Sequence, residues 1–115
     1  MAMNEQTPYL SVVVPLYNEE GNVAELYRKI YEAVQKIGRP FEIIFVDDGS
    51  KDGTLEVAKT LSPLKLIAFR KNFGQTAAFD AGFKEAKGEI IITLDGDLQN
   101  DPADIPLLLA KMAEG

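Results

Sequence analysis

Four short apolar runs punctuate the chain, each closed by a polar cluster: Leu10 to Val14, Phe41 to Val46, Leu64 to Phe69 and Ile90 to Leu94. Runs of this length, rich in β-branched residues, predict strands, and the Leu and Val residues of the first suggest burial on both of its faces. Between them the apolar positions space out by three or four. Val23, Leu26, Ile30, Val34 and Ile37 predict an amphipathic helix from about Glu20 to Ile37. Gly38 suits its C-terminal end, and Pro40 stops it. Leu55, Ala58 and Leu61 predict a short helix from about Thr54 to Leu61, broken by Ser62-Pro63. A third helix, from about Gln75 to Lys87 with Gly88 as its cap, is lined by Ala77, Ala78, Ala81, Gly82 and Ala86. Such small residues let a helix lie close to a sheet. Asp101 as N-cap and Pro102 at the first helical position open a last helix, about Pro102 to Ala113.

The order β-α-β-α-β-α-β-α predicts an α/β fold: a Rossmann-like parallel sheet of about four strands with alternating helices and right-handed crossovers. The polar clusters Tyr17 to Glu19, Asp47 to Ser50, Arg70 to Gly74 and Asp95 to Gln99 each follow a strand. They therefore gather at one edge of the sheet, where open α/β sheets bind ligands.

The last cluster carries the most specific chemistry. Asp95 and Asp97 stand at i and i+2 at a strand end, so both carboxylates point the same way. Gln99 adds a neutral oxygen, and an all-oxygen set suits Mg²⁺ or Mn²⁺. Spacing alone leaves a capped polar turn equally open. An EF-hand does not fit, because Asn100 takes the place of the turn glycine and Pro106 that of the bidentate Glu. In Asp47-Asp48-Gly49-Ser50, one carboxylate can accept hydrogen bonds from a base or ribose while the other fixes the loop. Asp52-Gly53-Thr54 reads as a turn with a helix cap. Tyr17 offers an aromatic face and Glu19 an acceptor, although a strand stop and helix cap explain both. Arg70-Lys71-Asn72-Phe73-Gly74 is a basic loop at a helix N-terminus, a place that attracts anions. A solvated cationic turn explains it as well. No G-x-G-x-x-G follows the first strand, and no Walker A sequence occurs.

Composition narrows the chemistry. The 115 residues suffice for one small domain. With no Cys there are no disulfides or thiolate sites, and with no His there is no imidazole base or ligand. A formal charge of −6 argues against nucleic acid as a partner, yet a cation can neutralise the phosphates of a bound nucleotide. No apolar stretch approaches a membrane span and no signal peptide precedes the first strand, so a cytoplasmic location is the expectation.

Taken together, four motifs stand in a familiar order: Pro15-Leu16-Tyr17-Asn18-Glu19, Val46-Asp47-Asp48-Gly49-Ser50 with Asp52-Gly53-Thr54, Arg70-Lys71-Asn72-Phe73-Gly74-Gln75, and Leu94-Asp95-Gly96-Asp97-Leu98-Gln99 with Asp101-Pro102. The chain resembles the family 2 glycosyltransferases of GT-A fold, and within them the dolichyl- or polyprenyl-phosphate sugar transferases of the dolichol-phosphate mannose synthase type. The resemblance implies a UDP- or GDP-sugar donor, Mg²⁺ or Mn²⁺, inversion at the anomeric carbon and a lipid phosphate acceptor. By position, Pro15, Tyr17, Glu19 and Asp47 would contact the nucleoside, and Asp48 would line the same pocket. Asn72 and Gln75 would shape the donor site near the sugar and pyrophosphate. Asp95 would sit beside the diphosphate-sugar, so that Asp95 and Asp97 are the catalytic carboxylates. Asp97 and Gln99, with Asp95, would hold the metal. An already anionic lipid phosphate as nucleophile suits a chain without His.

Members of this type are at least about twice as long. Residues 9–115 are therefore expected to be the donor-binding part, after a tail over 1–8, with little or no turnover alone. The parent protein is expected at the cytoplasmic face of a membrane. A bare fourth strand, or the apolar face of the last helix, would invite self-association. Two other classes compete: a phosphoacceptor signalling domain, disfavoured because Pro15-Leu16-Tyr17 stands where its acidic pair belongs, and a structural or nucleotide-binding fragment without catalysis.

Overall fold

A computed structural model describes residues 7–94, 102, 105 and 106. The elements are β1 (Leu10–Leu16), α1 (Val23–Gln35), β2 (Phe41–Asp47), α2 (Thr54–Ala58), β3 (Lys65–Ala68), α3 (Gln75–Glu85) and β4 (Ile90–Thr93). The strands form one sheet in the order β3-β2-β1-β4, with every pairing parallel. The expected α/β architecture is thus present. The long helix predicted from Pro102 falls almost wholly outside the described residues, as does its cap Asp101.

The alternation of side chains along the central strands builds two cores. Leu10, Val12, Val14 and Leu16 of β1 face one side with Ile43 and Phe45 of β2, and pack against Val23, Leu26, Ile30 and Val34 of α1. Val13, Ile44 and Val46 face the other side and meet Ala78 of α3. Burial on both faces is why these strands read as unbroken apolar runs. Small residues bring α3 down onto the sheet: a Cβ on Gly82 would come within 2.3 Å of Val13 Cγ1. On the opposite face, Tyr27 meets Phe45 edge-on and donates its hydroxyl to Pro63 O at 2.7 Å. Burial, with a smaller contribution from Tyr31, raises the Tyr27 pKa.

Several boundaries differ from those predicted, for local reasons. β1 runs through Pro15 rather than ending at Val14. Val13 O accepts the Leu94 N–H and so points towards β4, and two residues on Pro15 points the same way. The last ladder pair with β4 is Val13 with Thr93, so the missing N–H of Pro15 costs no described ladder bond. α1 starts at Val23 because Glu19 to Asn22 is spent on a turn, with the Asn22 and Val23 N–H groups donating to Glu19 O. α3 ends at Glu85, where Ala86 is already extended. Gly88 is not its cap; it donates its N–H to Ser11 Oγ and ties the chain to β1.

At the N-terminal end of the sheet Glu42 is a hub. Its carboxylate accepts the Ser11 hydroxyl and the Lys87 N–H, and pairs with Lys65 Nζ at 2.7 Å. Burial alone would raise its pKa, but the bonds from Lys65, Lys87 and Ser11 outweigh that and hold it below the usual range. No described helix is long and apolar enough to cross a membrane.

Candidate functional site

The opposite, C-terminal end of the sheet is built from three loops. The loop after β1 is sewn to the loop after β2. Asn18, in the left-handed conformation at φ 54°, donates its N–H to Ser50 Oγ at 2.8 Å. Its Oδ1 accepts the Lys51 N–H at 2.9 Å. The Glu19 N–H reaches Thr54 Oγ1 at 2.7 Å, and Glu20 Oε1 accepts the Gly53 N–H at 3.0 Å. Asp52 accepts from the Thr54 hydroxyl and N–H and from the Glu20 N–H, contacts that lower its pKa. Asn18 carries no signal in the periodicity; only its tolerance of the left-handed region marks it beforehand. Tyr17 stands exposed above this seam, and Glu19 accepts from Asn22 Nδ2 at 3.1 Å.

The adjacent carboxylates of Asp47 and Asp48 are both buried, at 1% and 4% exposure, and they do different things. Asp47 Oδ2 accepts the Ser50 N–H at 3.2 Å. Its Oδ1 is buried and has no hydrogen-bond partner among the described residues. Such an atom lacks the contacts that normally offset its desolvation. Asp48 is filled instead. Its carboxylate accepts Asn72 Nδ2 at 3.0 Å, the Phe73 N–H at 2.8 Å and the Gly74 N–H at 3.0 Å. Gly74 is the N-cap of α3, so the anion expected at this basic helix start is supplied by the protein itself.

Gly49 makes the fit between the two loops close. It has φ +71°, and a Cβ there would lie 2.2 Å from Lys71 C and 2.5 Å from Asn72 N. Phe73 is exposed, meets Phe69 edge-on at 5.6 Å between centroids, and has Lys71 Nζ 5.2 Å above its ring. Arg70 and Lys71 project their charge to solvent, while Asn72 is held against Asp48 and Gln75 opens α3.

The structure thus brings Pro15, Tyr17, Glu19, Asp47, Asp48, Asn72 and Gln75 to one edge of the sheet. Asp95, Asp97 and Gln99 lie outside the described residues. The chain is led towards them by β4 and by Leu94, whose N–H donates to Val13 O at 3.1 Å. Among the described residues no group of three or more acidic side chains could hold a metal ion. They gather a buried carboxylate oxygen without a described partner, an exposed aromatic ring, a second carboxylate and two exposed cations.

Residues 11–115 match the model of glycosyl transferase family 2. The chain belongs to that family. A relative from Pseudomonas aeruginosa (strain UCBPP-PA14), an undecaprenyl-phosphate 4-deoxy-4-formamido-L-arabinose transferase, is 43% identical over 111 residues, covering 92% of this chain and 33% of its own. Among solved structures, S. aureus TarS 1-349 in complex with UDP superimposes with a TM-score of 0.73 at 26% identity, over 91% of this chain and 32% of TarS. A mannosyltransferase from Pyrobaculum calidifontis in complex with GDP-Man and Mn²⁺ gives 0.63 at 29% identity, over 80% and 28%. The chain spans about a third of the length of the curated relatives it matches.

Proposed function

We propose that residues 9–115 form the nucleotide-sugar-binding part of an inverting glycosyltransferase whose acceptor is a polyprenyl phosphate. The observation that carries this is the buried, unpartnered Oδ1 of Asp47 at the C-terminal edge of a family 2 sheet. A pyrimidine or guanine ring offers an N–H to such an acceptor. On this reading Tyr17 offers its ring to the face of the base and Glu19 accepts from the ribose hydroxyls. Pro15, near the end of β1, contacts the nucleoside with them. The UDP and GDP-Man complexes of the structural neighbours support a nucleotide-sugar donor, and the P. aeruginosa relative supports an undecaprenyl phosphate acceptor.

A divalent cation fits the donor chemistry of the motif after β4. Asp95, Asp97 and Gln99 supply oxygen only, a set suited to Mg²⁺ or Mn²⁺. When bound, the cation would stabilise the negative charge of the departing nucleoside diphosphate. Asn72 and Gln75 orient the sugar and pyrophosphate, and Asp95 borders the diphosphate-sugar. In the transfer, an acceptor phosphate oxygen forms the new bond to the anomeric carbon from the face opposite the leaving group. The bond to the nucleoside diphosphate breaks as it forms. That oxygen is already anionic, so the chain needs no histidine base.

Calorimetry with UDP and GDP, with and without Mn²⁺, tests this. One of the two binds, Mn²⁺ tightens it, and Asp97→Ala removes the metal effect; metal-independent binding in the wild type overturns the metal role. We also propose that copies associate through β4, where Ile91 and nearby Phe83 are exposed. Light scattering at high concentration then reports a species larger than the monomer, and a strict monomer contradicts it.

A further inference from the structure

We infer that Asp48 is a positioning residue: it occupies the anion seat at the head of α3 and sets the 70–75 loop against the nucleotide's diphosphate, without touching the nucleotide. This rests on the nucleotide-binding function proposed above, and it removes Asp48 from the residues expected to line the pocket.

Three observations converge. First, both carboxylate oxygens of Asp48 are engaged. Asn72 Nδ2 and the Gly74 N–H reach Oδ2 at 3.0 Å each, and the Phe73 N–H reaches Oδ1 at 2.8 Å. Its neighbour Asp47 has the opposite character, with one buried oxygen unclaimed. Second, the amides of Phe73 and Gly74, which a helix start would otherwise offer to phosphate, are already committed. A diphosphate at this edge must meet side chains of the loop instead, the exposed cations Arg70 and Lys71 first, while Asn72 is held against Asp48. Third, the loop has no slack. The backbone of Lys71 and Asn72 rests on Gly49, where no side chain fits. Asp48 and Gly49 together form a seat that fixes where the cations stand relative to the base acceptor on Asp47.

The consequence is a division of labour along three consecutive residues. Asp47 meets the base, while Asp48 and Gly49 place the loop that meets the diphosphate. A change at Asp48 should therefore weaken a nucleoside diphosphate and spare the nucleoside.

The test uses the whole chain and whichever of UDP or GDP binds, with its own nucleoside. In Asp48→Asn an amide N–H₂ group faces the loop donors. We expect hydrogen exchange at the Phe73 and Gly74 amides to accelerate at least tenfold, the diphosphate Kd to rise about tenfold or more, and the nucleoside Kd to stay within twofold. Asn72→Ala is an exposed change that keeps the chain folded even where Asp48→Asn does not. It shows the same split at about threefold, and combining the two costs no more than Asp48→Asn alone. Equal losses for nucleoside and diphosphate place Asp48 on the nucleotide and overturn the inference while leaving the binding function standing. Unchanged amide exchange overturns it as well. A wild-type chain that binds neither nucleotide overturns the function itself, and the role of Asp48 in it.

Discussion

Both ends of the sheet carry a carboxylate that ties a loop to a strand, half-buried at Glu42 and buried at Asp47. At the N-terminal end Glu42 is complete: Ser11, Lys65 and the Lys87 amide fill it, and its pKa is held down by those contacts. At the C-terminal end Asp47 is incomplete, with one oxygen paired to Ser50 and the other buried and open. The same functional group, on the same strand, does two jobs. A carboxylate whose lone pairs are used internally serves the fold. One left without a partner where desolvation has already been incurred has most to gain from a donor brought to it. Asp48 stands between these cases: as fully used as Glu42, yet spent on a loop at the ligand end.

The largest effect that sharpens this contrast comes from Gly49. Gly49→Ala meets both a left-handed backbone and the Lys71–Asn72 chain 2.2 to 2.5 Å away. Backbone strain and overpacking together predict a loss of about 2–5 kcal/mol, read from the urea midpoint. Glu42→Gln comes next. It leaves the Lys65 ammonium and the Lys87 amide without their anion, a loss of about 1–3 kcal/mol at neutral pH. Because the folded-state pKa of Glu42 is lowered, its contribution is present above the ordinary Glu range and is lost as pH falls through the folded-state value. The stability gap between wild type and Glu42→Gln should thus be widest near neutrality and close in acid. A gap that widens in acid would contradict the assignment. Asp47→Asn should disturb folding by less than about 1 kcal/mol, since only the Ser50 bond is at stake and Asn keeps an acceptor for it. Arg28→Ala, which breaks the exposed Arg28–Glu32 pair, should change stability by under about 0.5 kcal/mol.

Much of the fold was legible because burial on both faces writes continuous apolar runs, and β1 and β2 are buried that way almost throughout. The convergence of the polar loops followed from strand direction alone. The ends of elements were less legible. Pro15 continues a strand because of which side its missing N–H faces, and a sequence does not show which side has a neighbour. The adjacent acids Asp47 and Asp48 were visible as a pair, with one suited to a ligand and one to a loop, but not which was which. That depends on β3 and the head of α3 lying beside β2, a tertiary fact. Asn18 was missed as a joint because its two bonds reach residues more than thirty positions away.

On the proposed function, the unpartnered oxygen of Asp47 makes the C-terminal edge a nucleotide site while the filled Glu42 leaves its own end structural. Calorimetric titration of UDP and GDP into wild type, Asp47→Asn and Glu42→Gln, under conditions where all three are folded, tests it most directly. Glu42→Gln should bind the preferred nucleotide as wild type does, while Asp47→Asn should lose at least tenfold in affinity, about 1.4 kcal/mol. Wild-type affinity in Asp47→Asn, or an equal loss in both variants, would contradict it.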